Sequence, residues 1–257
     1  MLKFAATTEH MPTAPATQTQ MRSIQTQMRY ARIAGFVFLL LIVMFMGGQF
    51  ITSHIAGSGD FTEQLQHIMA GAQLYRAALW IQMLTSVLTV LLAYGLYVAV
   101  RSVDEDLARL AMYWRLGEAF IGGAASIMVF AQLNLFTEPK YLDMLGADKL
   151  QMVIGMINGA AFASFNITTT FFSVGSTLFF YLFLKSRSIP VILSTFGIFA
   201  SIVVLLTSLA NLVFPEYADV IKFGWAPIFI SEITTGIWLL VRGVKPGIKI
   251  SAAASGL

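Results

Sequence analysis

The chain has 257 residues, of which 57% are hydrophobic and 11% charged, with no cysteine and a formal net charge of +3. That balance excludes an ordinary soluble domain, where about 45–50% of residues are apolar and about 25% charged, and the mean hydropathy of +0.76 agrees. Without cysteine there are no disulfides, thiolate zinc sites, iron–sulfur clusters or cysteine nucleophiles, and the basic residues are too scattered for a nucleic-acid footprint.

Residues 1–29 are polar, rich in Thr and Gln, and carry Pro12 and Pro15. Disorder is expected to about Met21, then an interfacial helical turn with Arg22, Arg29 and Arg32. The first apolar run, 33–53, is span-length, longer than the ~7–15 residues of a signal-peptide core. After Gly57-Ser58-Gly59-Asp60, the residues Phe61, Leu65, Ile68, Ala72 and Tyr75 fall near one helical face, which predicts an interfacial amphipathic helix. Span 2 is expected at 79–100, between Arg76 and Arg101, and span 3 at 110–135, ending before Glu138-Pro139. Residues 146–166 read either as an external helix or as an early start to span 4, and they contain a Gly155-x-x-x-Gly159 pair of the kind that lets helices approach closely. Span 4 is placed at 167–184, span 5 at 191–213 behind Pro190, and span 6 at 225–241 with Pro227 in its first turn.

The expected fold is therefore all-α: a polytopic membrane protein of six transmembrane helices with an extra interfacial helix. One membrane domain covers 30–245, followed by a short flexible tail at 246–257. Of the 16 Lys and Arg residues, only Arg76, Lys140, Lys149 and Lys222 fall on the side away from the amino terminus. By the positive-inside rule both ends lie in the cytoplasm, and a bacterial inner membrane is the expected location.

Several segments share order and spacing with a known family. They are Tyr30-Ala31-Arg32-Ile33-Ala34-Gly35, Tyr75-Arg76-Ala77-Ala78, Trp114-Arg115-Leu116-Gly117-Glu118-Ala119 and Gly236-Ile237-Trp238-Leu239-Leu240-Val241-Arg242-Gly243. Over about residues 30–245 the chain resembles a bacterial integral-membrane family known as domain of unknown function number 4386. The resemblance implies a six-helix membrane fold and carries no assigned activity.

Charges inside the spans are the sharpest chemical signal, because a charge in hydrocarbon is costly and normally finds protein or water. Arg115 and Glu118 stand at i and i+3, on one helical face. At ~1.5 Å per residue they lie about 7 and about 12 Å inside the membrane boundary, and Glu232 about 15 Å inside the same boundary. Arg115 at these depths reaches both carboxylates if spans 3 and 6 touch; the plainer reading is a structural clamp or a snorkelling arginine. A second polar set, Gln49, Gln82, Gln132, Asn134, Asn158, Asn166 and Asn211, either lines an outer vestibule or supplies interhelical hydrogen bonds. Arg76 suits a lipid phosphate or an anchor for span 2. Glu63 and His67, with His54 nearby, match no standard zinc spacing, so no metal or other cofactor is expected.

Three function classes follow. The first is binding of a lipid or small apolar molecule within the helix bundle, in an accessory role, with Arg76, Arg115, Glu118 and Glu232 as ligand-binding residues. The second is small proton-coupled secondary transport using Glu118 and Glu232, against which the two halves show no repeat. The third is a membrane enzyme acting on a lipid or quinone, for which no catalytic cluster is visible. Membrane lipids and a small apolar ligand are the expected partners, and nucleic acid is not; the sequence fixes no oligomeric state.

Overall fold

The computed structural model describes residues 18–245. Of the polar segment 1–29, expected to be disordered to about Met21, residues 1–17 lie outside the described residues and 18–29 are helical; the tail 246–257, expected to be flexible, lies outside them too. Six helices are long and apolar enough to cross a membrane, and the chain is a multi-pass membrane protein. Five of the spans are α1 (Gln18–Ala56), α3 (Ala72–Val100), α4 (Glu105–Thr137), α5 (Pro139–Ser186) and α6 (Val191–Val213); the sixth is the helical stretch Pro215–Val241, in which a 3₁₀ turn, the short α7 (Ala218–Ile221) and a second 3₁₀ turn lead into α8 (Ala226–Val241). The short α2 (Phe61–Ala70) stands between α1 and α3.

Local chemistry sets the helix ends. The Asp60 carboxylate accepts the Glu63 N–H at 2.9 Å and starts α2, and the Asp104 carboxylate accepts the Leu107 N–H at 3.1 Å and starts α4. Each satisfies one of the donors that a helix N-terminus leaves orphaned. Pro139 begins α5 and Pro190 precedes α6, where the missing N–H costs nothing.

The helices form a closed ring in the order α1, α3, α4, α5, α6, α8, with α8 returning to α1. The last seam is glycine-made. A Cβ built on Gly35 would lie 2.4 Å from the Leu240 nitrogen and 2.7 Å from the Gly236 oxygen, so only glycine permits this approach of α1 to α8. Spans 3 and 6, α4 and α8, are therefore not neighbours in the ring; they face each other across it.

Both described chain ends lie on one face, where Gly243 meets Met28 and the Lys245 N–H donates to the Ser188 carbonyl at 2.9 Å. On that terminal side a core of Val37, Phe38, Leu92, Leu96, Phe179, Phe183 and Leu239 fills the bundle. At the opposite, distal side a second core joins Leu65 and Ile68 of α2 to Leu79, Leu133, Phe136, Leu150 and Ile154. Outward-facing Phe36, Ile127, Ile192 and Leu206 are exposed, as lipid-facing side chains are.

One sequence expectation changes and one open alternative is decided. The helix carrying span 1 begins at Gln18, with no separate interfacial turn before Ile33, because Gln27 and Ala31 are buried and draw the lead-in onto the bundle. Residues 146–166 are continuous with span 4. After a break at Gly146, whose φ of 73° lies in the region glycine favours, α5 runs unbroken to Ser186. That stretch is about 60 Å long at ~1.5 Å per residue, roughly twice the hydrocarbon thickness. It projects well beyond the membrane, and Leu150 and Ile154 anchor the projection in the distal core. α6, with 23 residues, and the stretch Pro215–Val241, with 27, are much shorter. The distal head is thus built from the ends of α1, α3, α4 and α5 with α2 laid against them.

Candidate functional site

Arg115 points from α4 toward α5 and is 2% exposed. Its Nη1 lies 3.0 Å from Glu118 Oε2, one helical turn away, and donates to Ser176 Oγ at 3.3 Å. The guanidinium carbon sits 4.7 Å from the Phe172 ring centroid, a cation–π contact strengthened by desolvation. α5 makes room for the side chain with a glycine: a Cβ on Gly175 would stand 2.9 Å from Arg115 Cγ and 3.0 Å from Cδ. Beside it Trp114 packs on Phe171 at 5.1 Å between ring centroids.

Glu232 lies on α8, across the ring, between buried Ser231 and Thr235. Among the described residues the arginine's ion-pair contact is with Glu118 alone. The arrangement is one tight pair with a second carboxylate held opposite. A small cavity adjoins it, lined by Phe38, Leu96, Ser176, Phe179, Phe183 and Thr235 among others. Arg115 Nε, Ser231 Oγ and Thr235 Oγ1 are buried without a hydrogen-bond partner in the protein.

Arg76 is exposed on the distal part of α3 and does not join this group. The amides expected to line an outer vestibule mostly bond to one another. Gln132 donates to Asn158 at 2.9 Å, linking α4 to α5, and Asn211 donates to Asn166 at 3.1 Å, linking α6 to α5. Gln49 and Asn134 are exposed, and Gln82 lies against Gly48. Among the described residues no group of three or more His, Cys, Asp or Glu side chains is placed to hold a metal ion.

The distal head holds a larger open crevice of about 410 Å³. Its lining interleaves apolar side chains, Phe61, Ile68, Phe136 and Ile154, with polar ones, Gln64, Tyr75, Gln132, Gln151 and Asn158. Of the amides that the sequence offered for an outer vestibule, Gln132 and Asn158 line this crevice; the rest of its lining was missed because it comes from α1 to α5 and shares no local motif. Sequence reasoning also missed Ser176 and Thr235, although the spacing of Thr169, Ser173 and Ser176 along α5 marks a polar helical face.

No curated protein matches the chain, and no solved structure does. The family described as Domain of unknown function (DUF4386) matches residues 33–243, most of the chain and all six spans. A match over that much of the sequence shows that the chain belongs to this family.

Proposed function

We propose that the protein is a membrane-embedded binding protein that holds a lipid or other small amphipathic molecule, and that the distal crevice is where it does so. The observation that carries this reading is the crevice itself. Its volume falls within the about 300–1,000 Å³ usual for small-molecule sites, and its mixed lining of apolar side chains and amides suits an amphipathic ligand. Arg76, which follows Tyr75 on α3, gives the neighbourhood a cation suited to a lipid phosphate. The side chains that line it include no nucleophile–base pair, which supports binding over chemistry.

Gly155 lines the crevice, and a Cβ placed there meets nothing within 4 Å. Gly155→Trp therefore fills the crevice without disturbing the fold. In native mass spectrometry from nanodiscs, the wild type retains a discrete added mass and Gly155→Trp does not, at unchanged melting temperature. A wild type with no added mass, or a variant that keeps it, refutes the reading.

The basic excess on the terminal face supports a cytoplasmic position for that face and a bacterial inner-membrane location. Because the chain has no cysteine, single introduced cysteines test this without background. On intact cells a membrane-impermeant maleimide labels Glu63→Cys in the distal head and leaves Lys245→Cys untouched; the reverse pattern inverts the topology.

A further inference from the structure

Residues 214–225, which join α6 to α8, repeat with a period of three. Phe214, Tyr217, Val220 and Phe223 form one series, Glu216, Asp219 and Lys222 a second, and Ala218, Ile221 and Gly224 a third. A 3₁₀ helix has three residues per turn and stacks such a series on one face. 3₁₀ turns make both ends of the segment, Pro215–Tyr217 and Lys222–Trp225, with the single α-turn of α7 between them.

Burial separates the three faces. Ala218, Ile221 and Gly224 are half-buried, and a Cβ on Gly224 would collide with the Thr207 hydroxyl of α6, so this face packs on the bundle. The charged face is exposed and holds its own ion pair, Lys222 Nζ to Asp219 Oδ1 at 3.0 Å. The aromatic face is exposed too, from 51% at Phe214 to 73% at Phe223, a range that brackets the 61% of Leu206 on the lipid-facing side of α6. We infer that residues 214–225 are an amphipathic anchor in the distal leaflet of the bilayer. Phe214, Tyr217, Val220 and Phe223 are buried among lipids, and Glu216, Asp219 and Lys222 turn to the headgroups and water.

The level of the segment identifies lipid as what covers its aromatic face. The start of α6 and the end of α8 share one level, because the Lys245 N–H donates to the Ser188 carbonyl at 2.9 Å. α6 has 23 residues and α8 has 16. At ~1.5 Å per residue, α6 rises about 34 Å from that level and α8 about 24 Å. The hydrocarbon layer is about 30 Å thick, so the segment begins just outside its distal boundary and ends inside it. Gly224 shows the same descent independently, because its neighbour Thr207 lies about 9 Å short of the end of α6. Leu209, Leu212 and Val213 carry the exposed apolar surface of α6 up to Phe214, so the aromatic face continues a surface already in lipid.

A short helical segment with one apolar and one charged face, lying at the bilayer boundary, is the pattern of interfacial anchors. Tyr217 sits near the boundary, where the amphipathic ring of a tyrosine is favoured. The charged face has two acids and one base, so it gains nothing from anionic lipid. Burial of the aromatic face holds the segment down, and its insertion is insensitive to salt.

The chain has no cysteine, so single cysteines report each face separately. Full-length Asp219→Cys, Val220→Cys and Phe223→Cys, all at exposed positions, are labelled with a polarity-sensitive fluorophore in phosphatidylcholine nanodiscs, with and without acyl-chain nitroxide lipid. The labels of Val220→Cys and Phe223→Cys emit to the blue, lose most of their emission to the nitroxide and little to iodide in solution. The label of the adjacent Asp219→Cys emits further to the red and is quenched by iodide. The pattern is the same at low and high salt, with wild-type circular dichroism throughout. Iodide quenching of the Val220→Cys and Phe223→Cys labels equal to that of Asp219→Cys overturns the inference, because the aromatic face then stands in water. Labels that neither quencher reaches overturn it as well, and disulfide-linked Val220→Cys dimers then identify a second copy of the chain as the cover.

Discussion

At the scale of single residues, Arg115 is the most constrained side chain of the molecule. It is held by a carboxylate, a hydroxyl, an aromatic face and a glycine on the neighbouring helix. Removing one partner of a buried pair leaves the other charge uncompensated, which costs about 3–5 kcal/mol. Arg115→Ala is expected to lose that much in a steric-trapping or denaturant measurement, and Arg115→Ala with Glu118→Gln to recover part of it. Equal losses in the single and double variants would mean that the pair carries no coupling. The i, i+3 relation of Arg115 and Glu118 was legible in the sequence, because helical spacing alone puts them together. The partners Ser176 and Gly175 were not, because they sit on another helix whose register nothing local specifies. Nor was it legible that Arg115 would contact one carboxylate and leave Glu232 across the ring.

At the scale of elements, prolines made α6 readable: Pro190 fixes its start, and the expected 191–213 is the observed helix. α5 was harder. Hydropathy marks the part inside the bilayer, whereas its projection is held by Leu150, Ile154 and the Gln132–Asn158 bond, which are tertiary contacts. The Gly155–Gly159 pair suggested close helix packing, yet a Cβ at either position meets nothing within 4 Å. The glycine that does set a helix contact is Gly35. Gly35→Val forces a side chain against the α8 backbone and prises α8 from α1. The expected loss is about 1–3 kcal/mol from overpacking, read as a lower melting temperature in detergent, with Gly159→Val, whose side chain meets open space, as the neutral comparison.

At the scale of the whole molecule, the terminal face is tied together by an ion pair between loops. Lys185 Nζ donates to Asp104 Oδ2 at 3.0 Å, joining the end of α5 to the start of α4. That hydrogen bond, and then the Leu107 N–H, hold the Asp104 carboxyl below its usual range, and the same contact raises Lys185. A carboxyl held low when folded contributes stability that is complete above its unfolded value and disappears as pH falls through the lowered one. A lysine held high contributes stability that is complete below its unfolded value and disappears as pH rises through the raised one. The tie is therefore intact from about pH 4 to about pH 10. Melting temperature should fall on acidification below that window in the wild type and more weakly in Asp104→Asn; parallel acid limbs would dismiss the tie. The unequal reach of the helices also has a consequence for biosynthesis. Chains emerge from the amino end, and the distal core is complete once Ile154 has been made. By the end of α5 the Arg115–Glu118–Ser176 contacts are available as well, with their charges balanced. α8 comes last among the spans, and it carries Glu232 and the Gly236 side of the seam with Gly35. The step that closes the ring is thus the same step that brings in the second carboxylate of the spans, so a nascent chain arrested before α8 is an open bundle whose buried arginine already has its partner.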